Sequence, residues 1–382
     1  MKEGIVLALF FTKGNSLASW EKSGLLYREK ILYEYLLERN LLKSVIWFTY
    51  GKNDSSLALE LFDKGVLHEN IMVVGIPGIF SGRVGQWLYS LIIPIMHYKI
   101  IKKVDILKSN QVYGAWTPLI AKYMFFKPFI MRCGFVPSLN PRISPNIFYK
   151  IFFNILEYLV FRLSDISVVS NPVEYNLVKQ KYNVKNLKIN PSFVDTKIFY
   201  RKSSNNQLIN KRVLFVGRFE NVKNIINTID GVLGAGLSID LYGDGSLKKE
   251  IKNRYKKYIS NNRVNINEII PNNELAKQYR KYNFYILMSY YEGMSKTLIE
   301  AMSSGLVCIV SKIPQNESLV TDKVTGIVVD GFKSKNIEEV LKNLSNYSCS
   351  DISKNASKYI QSNFTLDIVC EREMSFINGI LE

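Results

Sequence analysis

The sequence predicts an α/β protein of two doubly wound domains, each a parallel sheet wrapped by helices, and three observations lead to that expectation. At 382 residues the chain exceeds what one hydrophobic core supports, since a single core stops growing near ~250–300 residues. Short apolar runs alternate with longer amphipathic ones from end to end, the signature of repeated β-α units. The series is broken once, by the polar stretch Arg201-Lys202-Ser203-Ser204-Asn205-Asn206-Gln207, and restarts at Arg212-Val213-Leu214-Phe215-Val216-Gly217. A hydrophobic content of 47% excludes a disordered chain, which would be poorer in aliphatic and aromatic residues.

In chain order, residues 4–11 read as the first buried strand. The run is short and no small-residue cleavage site follows, so it is not a secretory leader. Residues 24–38 read as a helix, with Leu25, Leu26, Ile31, Leu32, Tyr35 and Leu36 near helical spacing and Ser23 as its N-cap. Strands follow at 45–49, 71–74, 106–108, 129–132 and 167–169. A second series occupies 212–217, 239–242, 264–266, 284–288, 307–310 and 326–329. The expected division is a first domain at 1–198, a linker at 199–211, a second domain at 212–360, and a terminal helical segment at 361–382 that packs back on the first domain. The glycines between Gly231 and Gly236 lie at a helix end before a strand and read as a C-cap and turn. No membrane span is expected, because the longest uncharged stretch, 84–98, is shorter than ~20 residues and contains Pro94. Cys133, Cys308, Cys349 and Cys370 show no C-x-x-C pairing, which suits a reducing cytosol better than a disulfide or zinc framework.

The net charge of +17 is unevenly placed. Residues 70–156 hold Arg83, Lys99, Lys102, Lys103, Lys108, Lys122, Lys127, Arg132, Arg142 and Lys150 against a single acid, Asp105. Aromatics including Trp87, Trp116, Phe126, Phe148 and Phe152 are interleaved with them. Cations mixed with interfacial aromatics suit an anionic bilayer surface, so peripheral contact with a membrane is expected. Nucleic acid is not, for no basic helix, zinc finger or RNP-like strand is present.

In open parallel sheets ligands bind beyond the carboxyl ends of strands, where helix N-termini offer unpaired N–H groups to anions. After the strand at 212–217, Gly217 admits close backbone approach, and Arg218 and Lys223 follow across a loop that enters a helix; both cations can meet one diphosphate. After the strand at 284–288, Glu292 stands in the loop and Glu300 about two turns into the next helix. Between them the N–H groups of Gly293, Met294 and Ser295 point out of the helix start, with Lys296 and Thr297 beside them. Carboxylates next to an anion-binding helix start suit a nucleotide sugar.

These spaced motifs resemble those of the retaining glycosyltransferases of family 4, the glycosyl transferases group 1. Gly217-Arg218 with Lys223 resembles the family's G-R-x(4)-K, and Glu292 with Glu300-Ala301-Met302-Ser303-Ser304-Gly305 its E-x(7)-E and E-A-M-x-x-G. Leu241 to Leu247 resembles its G-x-G-x-L turn, and Ile189 to Phe199 its hinge segment, with Ser192 and Phe193 where Asn and Gly are usual. The resemblance implies the GT-B fold, two Rossmann-like domains facing a cleft. It implies a metal-independent retaining hexosyltransferase of the EC 2.4.1 class, in bacterial surface-polysaccharide assembly. Arg218 and Lys223 would neutralise the donor diphosphate, Glu300 would hold the ribose, Glu292 the transferred sugar, and Glu268, Ile269 and Ile270 would line the base. The donor is expected to be a UDP-sugar and the acceptor a lipid-linked saccharide, with the protein on the inner face of the cell membrane. No cofactor is expected, since no D-x-D occurs to hold a diphosphate-bridging metal.

The first half departs from the family pattern. Where many members carry a His after the fifth strand, this chain has Arg132-Cys133-Gly134, and its only histidines are His68 and His97. His97 reads as an interfacial or core residue and Cys133 as no nucleophile, so a front-face displacement, in which a donor phosphate oxygen takes the acceptor proton, fits best. Gly14, Asn15, Ser16, Gly24, Asn110, Gln111 and Arg132 are the expected acceptor contacts. The rival readings are a nucleotide-sugar epimerase of the same architecture and a non-catalytic nucleotide-sugar or membrane-binding protein.

Overall fold

The computed structural model describes residues 4–139, 147–201 and 212–382. Arg142 and most of the expected linker, 202–211, lie outside the described residues. Among the described residues thirteen strands form two all-parallel sheets. Strands β1 (Val6–Phe10), β2 (Ser44–Phe48), β3 (Ile71–Val74), β4 (Ile106–Ser109), β5 (Phe129–Cys133), β6 (Ile166–Val169) and β7 (Leu187–Ile189) lie in the order β3-β2-β1-β4-β5-β6-β7. Strands β8 (Arg212–Val216), β9 (Ser238–Tyr242), β10 (Val264–Asn267), β11 (Phe284–Leu287), β12 (Val307–Ser311) and β13 (Ile327–Val329) lie in the order β10-β9-β8-β11-β12-β13. The strand order reverses between β1 and β4 in one sheet and between β8 and β11 in the other, the two places where an open sheet accepts a ligand. Most of these strands are apolar and buried, as expected where helices cover both sheet faces; β2, for example, is buried from Val45 to Phe48.

The chain forms two compact units, residues 1–190 with 370–382, and residues 191–369. The divide falls earlier than the expected linker at 199–211 for a physical reason. Val194 bridges to Thr365, and Phe199 is buried in the second core. The carbonyls of Ile198 and Phe199 accept hydrogen bonds from Arg280 (2.7 Å) and Ser303 (2.6 Å). The hinge-like segment after Asn190 is therefore already part of the second unit. The closing helix Leu366–Leu381 is divided in turn, and its part from Cys370 onward belongs to the first unit.

Ser23 is not the N-cap of the second helix. It closes a short preceding helix, Leu17–Lys22, that the sequence pattern had not disclosed, and its hydroxyl donates to the Ser19 carbonyl at 2.7 Å. The second helix, Leu26–Glu38, starts at Leu25 with no side-chain cap. Gly231–Gly236 ends the helix Ile225–Gly234 in a turn, with Gly236 at φ +78 and the Leu237 N–H reaching back to Val232.

Within the first unit, Lys108 on β4 forms an ion pair with Glu373 of the closing helix, each about 1% exposed. Asn190 Nδ2 donates to the same carboxylate at 3.1 Å, and the Lys108 ammonium stands 5.2 Å from the Tyr33 ring centre. Burial opposes both charges, yet the mutual attraction outweighs it: Lys108 is held above its ordinary range and Glu373 below.

Candidate active site

The second unit assembles the expected donor-site residues at the carboxyl ends of β8, β10 and β11. After β8 the chain turns at Gly217, which is locked to the loop after β9: the Gly217 N–H bonds the Tyr242 carbonyl at 3.0 Å and Phe219 N–H that of Asp244 at 2.8 Å. A Cβ on Gly243 would sit 2.0 Å from the Gly217 carbonyl oxygen, so only glycine allows the two loops to meet. Arg218 is left exposed. A single 3-10 turn, Asn221–Lys223, then brings Lys223 inward, and the Tyr290 N–H bonds the Val222 carbonyl at 2.8 Å, joining this loop to the one after β11.

The structure brings Lys223 and Glu292 into direct contact, with Nζ 2.6 Å from Oε1. Ser289 Oγ donates to the same oxygen at 2.5 Å, and Glu292 is 8% exposed. The two residues assigned separately to phosphate and sugar thus form one half-buried ionic unit. Ser295 caps the helix Lys296–Ser303, its Oγ accepting from the Leu298 N–H at 3.4 Å. Gly293, Met294, Lys296 and Thr297 are half-buried around that start; Met294 Sδ accepts from the Ser192 N–H at 3.1 Å, and the Lys296 ammonium lies 5.7 Å from the Phe193 ring centre. Glu300 is buried, and Tyr279 Oη donates to its Oε2 at 3.3 Å and to the Thr297 carbonyl at 3.1 Å. Tyr285 Oη pairs with Thr297 Oγ1 at 2.8 Å, and burial pushes its phenol far above the usual range. After β10, Glu268 pairs with Lys248 at 3.0 Å, while Ile269 is exposed and Ile270 packs on the core.

Ser289, Tyr279 and Tyr285 had no place in the sequence reading. Ser289 carried a faint signal, a polar residue closing an apolar strand at its carboxyl end. The two tyrosines are braces whose role only the folded sheet reveals.

In the first unit, Gly14, Asn15 and Ser16 follow β1, Asn110 and Gln111 follow β4, and Arg132 is in β5, so these six lie on or after three neighbouring strands. Gly24 stands apart in the turn after the first helix. The Ser16 hydroxyl is committed to capping that helix through the Ser19 N–H at 3.0 Å. His97 Nε2 meets Tyr89 Oη at 3.1 Å, and burial lowers its pKa. Cys133 is fully buried with its thiol pushed well above the ordinary value.

Two Rossmann-like parallel-sheet domains define an architecture whose structural neighbours are GT-B proteins. One is the Anabaena protein Alr3699/HepE, solved with UDP and glucose, which superposes with a TM-score of 0.74 at 14% identity over 98% of this chain and 99% of that one. Residues 196–361 match the family described as Glycosyl transferases group 1. Among curated relatives, mannosylfructose-phosphate synthase of Agrobacterium fabrum is 26% identical over 178 residues, 41% of this chain and 39% of the relative. The UDP-Gal:alpha-D-GlcNAc-diphosphoundecaprenol alpha-1,3-galactosyltransferase of Escherichia coli is 30% identical over 90 residues, 24% of this chain and 23% of the relative. The matched stretch thus spans well under half of either relative.

Proposed function

We propose that this protein is a retaining, metal-independent glycosyltransferase that moves a hexose or N-acetylhexosamine from a nucleotide diphosphate sugar, most simply a UDP-sugar, to a lipid-linked saccharide. The observation that carries the reading is the Lys223–Glu292 pair at 2.6 Å, inside the segment that matches the glycosyltransferase family. Arg218 and Lys223 take up charge as it builds on the departing diphosphate, lowering the barrier as a metal would elsewhere. Glu292 then accepts from hydroxyls of the transferred sugar, and Glu300, oriented by Tyr279, from those of the ribose. No side-chain base is required if a donor phosphate oxygen takes the acceptor proton. Incubation with UDP-, GDP- and ADP-sugars in EDTA, first alone and then with a polyprenyl-diphosphate-linked saccharide, tests this: slow hydrolysis of one donor without added metal is expected, with the anomer retained in the product of transfer to that acceptor. Activity that appears only with Mn²⁺, or an inverted linkage, overturns it.

The same proposal places the protein on the inner face of the cell membrane. Among the described residues no helix is long and apolar enough to cross a bilayer. Two helices of the first unit instead turn apolar stripes outward. Val84, Trp87, Leu88, Leu91 and Ile95 are exposed on Arg83–Met96, and Phe148, Ile151, Phe152, Ile155 and Leu159 on Ile147–Leu163. The stripes meet where Trp87 and Phe152 stand 6.0 Å apart, forming one ridge. The exposed positive charge of this unit is smaller than the sequence implied, since Lys108 is buried and Lys122 is tied to Asp165 at 2.7 Å. Arg83, Lys99, Lys102, Lys103 and Lys150 remain exposed, and Asp105 is turned to the Val6 N–H, which complements an anionic bilayer. Phe148→Glu with Ile151→Glu is expected to cost at least about tenfold in flotation with phosphatidylglycerol vesicles, because each large apolar side chain is worth ~1.5–3 kcal/mol when buried. Lys102→Glu with Lys103→Glu should cost less and only at low salt. Wild-type protein that fails to float with such vesicles refutes the membrane assignment.

A further inference from the structure

We infer that Lys13 holds the lipid-side phosphate of the acceptor, its ammonium set between the rings of Trp87 and Tyr113 where the apolar ridge meets the switch point of the first sheet. The inference rests on the lipid-linked acceptor proposed above and adds a contact that neither the motifs nor the relatives assign.

Lys13 lies in the loop after β1, and Tyr113 in the loop after β4, the two strands between which the order reverses. The loops are fastened to each other: the Lys13 N–H bonds the Tyr113 carbonyl at 3.4 Å. Gly114, at φ +102, allows that approach, since a Cβ there would come within 2.9 Å of the Lys13 nitrogen. The ammonium sits 4.6 Å from the Trp87 ring centre and 5.6 Å from that of Tyr113, with Tyr113 Oη at 3.5 Å. Among the described residues no carboxylate reaches it. Three other half-buried lysines do have one: Lys30 has Glu34, Lys122 has Asp165, and Lys223 has Glu292. Partial burial lowers the Lys13 pKa, the mark of a charge desolvated without an anion to repay it.

Trp87 connects this cation to the ridge. Its indole stacks on Trp116 at 4.9 Å and meets Phe152 at 6.0 Å. An apolar chain lying along the ridge therefore ends beside Lys13, and the group that follows the chain in a lipid-linked saccharide is a phosphate. A phosphate there accepts from the ammonium while the two rings keep bulk water from competing. The saccharide beyond it would then lie over Asn15 and Asn110.

Titration calorimetry in saturating UDP, which fills the clamp at Arg218 and Lys223, with farnesyl diphosphate, farnesol and inorganic diphosphate tests the assignment on wild type, Lys13→Gln, Lys13→Arg and, as a control, Lys64→Gln at an exposed cation that ends the helix Asp54–Asp63. Wild type and Lys64→Gln should bind farnesyl diphosphate at least about tenfold more tightly than farnesol, a gap of ~1.4 kcal/mol. Lys13→Gln should erase that gap and Lys13→Arg should keep most of it. If Lys13→Gln preserves the gap, the role of Lys13 is wrong while the lipid-linked acceptor stands. If wild type shows no gap, both fall. Inorganic diphosphate binding as tightly as the farnesyl compound would remove the ridge from the site. Full competition by phosphatidylglycerol would mean that the phosphate is a bilayer headgroup and overturn the acceptor role.

Discussion

Replacing Lys223 with alanine is expected to lower kcat/KM about 10²–10³-fold, or ~2–4 kcal/mol, the usual cost of removing a preorganised charge from a developing anion. The ligand-free pairing adds a second consequence. With Lys223 gone, Glu292 stays buried without its cation, the Ser289 hydroxyl still donating to it, and an uncompensated buried charge typically costs ~3–5 kcal/mol of stability. Lys223→Ala should therefore unfold at lower urea, and adding Glu292→Gln should restore much of the stability without restoring transfer. Arg218→Ala, at an exposed position, should lose activity and leave unfolding unchanged. Lys223→Arg should rescue poorly, because a planar guanidinium does not reproduce the single short contact of a compact ammonium. Near-normal transfer by Lys223→Ala and Arg218→Ala in EDTA would remove the clamp from the mechanism.

Glu373→Ala is expected to destabilise the first unit by ~3–5 kcal/mol, since it strands the Lys108 ammonium at 1% exposure beside the Tyr33 ring and under the like charge of Arg132. The double variant Lys108→Met with Glu373→Leu should recover most of that loss, as replacing both charges by apolar groups of similar size is often neutral or stabilising. Urea unfolding followed by near-ultraviolet dichroism distinguishes the two. A single-variant loss below ~1 kcal/mol would mean that water reaches the site.

Strands were legible because burial on both faces leaves apolar runs that polarity breaks at each end; 71–74 coincides with β3. β7, Leu187–Ile189, was missed because Lys188 interrupts three residues and points outward at the sheet edge. The donor residues were legible because loop chemistry follows strands at short, fixed spacing. The contacts that orient them were not, for Tyr279 reaches Glu300 across a helix and a strand. Lys108 counted as a surface cation in the sequence reading because its partner, Glu373, is remote in the chain. The ridge was half legible: the aromatics were visible, but which of them face outward depends on how the helices Arg83–Met96, Trp116–Phe125 and Ile147–Leu163 pack together.

The network of Lys108, Asn190 and Glu373 also orders events during synthesis. The first unit is discontinuous, and its second piece begins only at Cys370. A nascent chain that has emerged through residue 190 holds all seven strands of the first sheet but has Lys108 without its carboxylate. Every residue of the second unit must leave the ribosome before Glu373 arrives. The second unit, continuous in sequence, is free to close first, so the half of the molecule translated earlier is the half completed later, and its apolar ridge stays on an unfinished scaffold in the meantime.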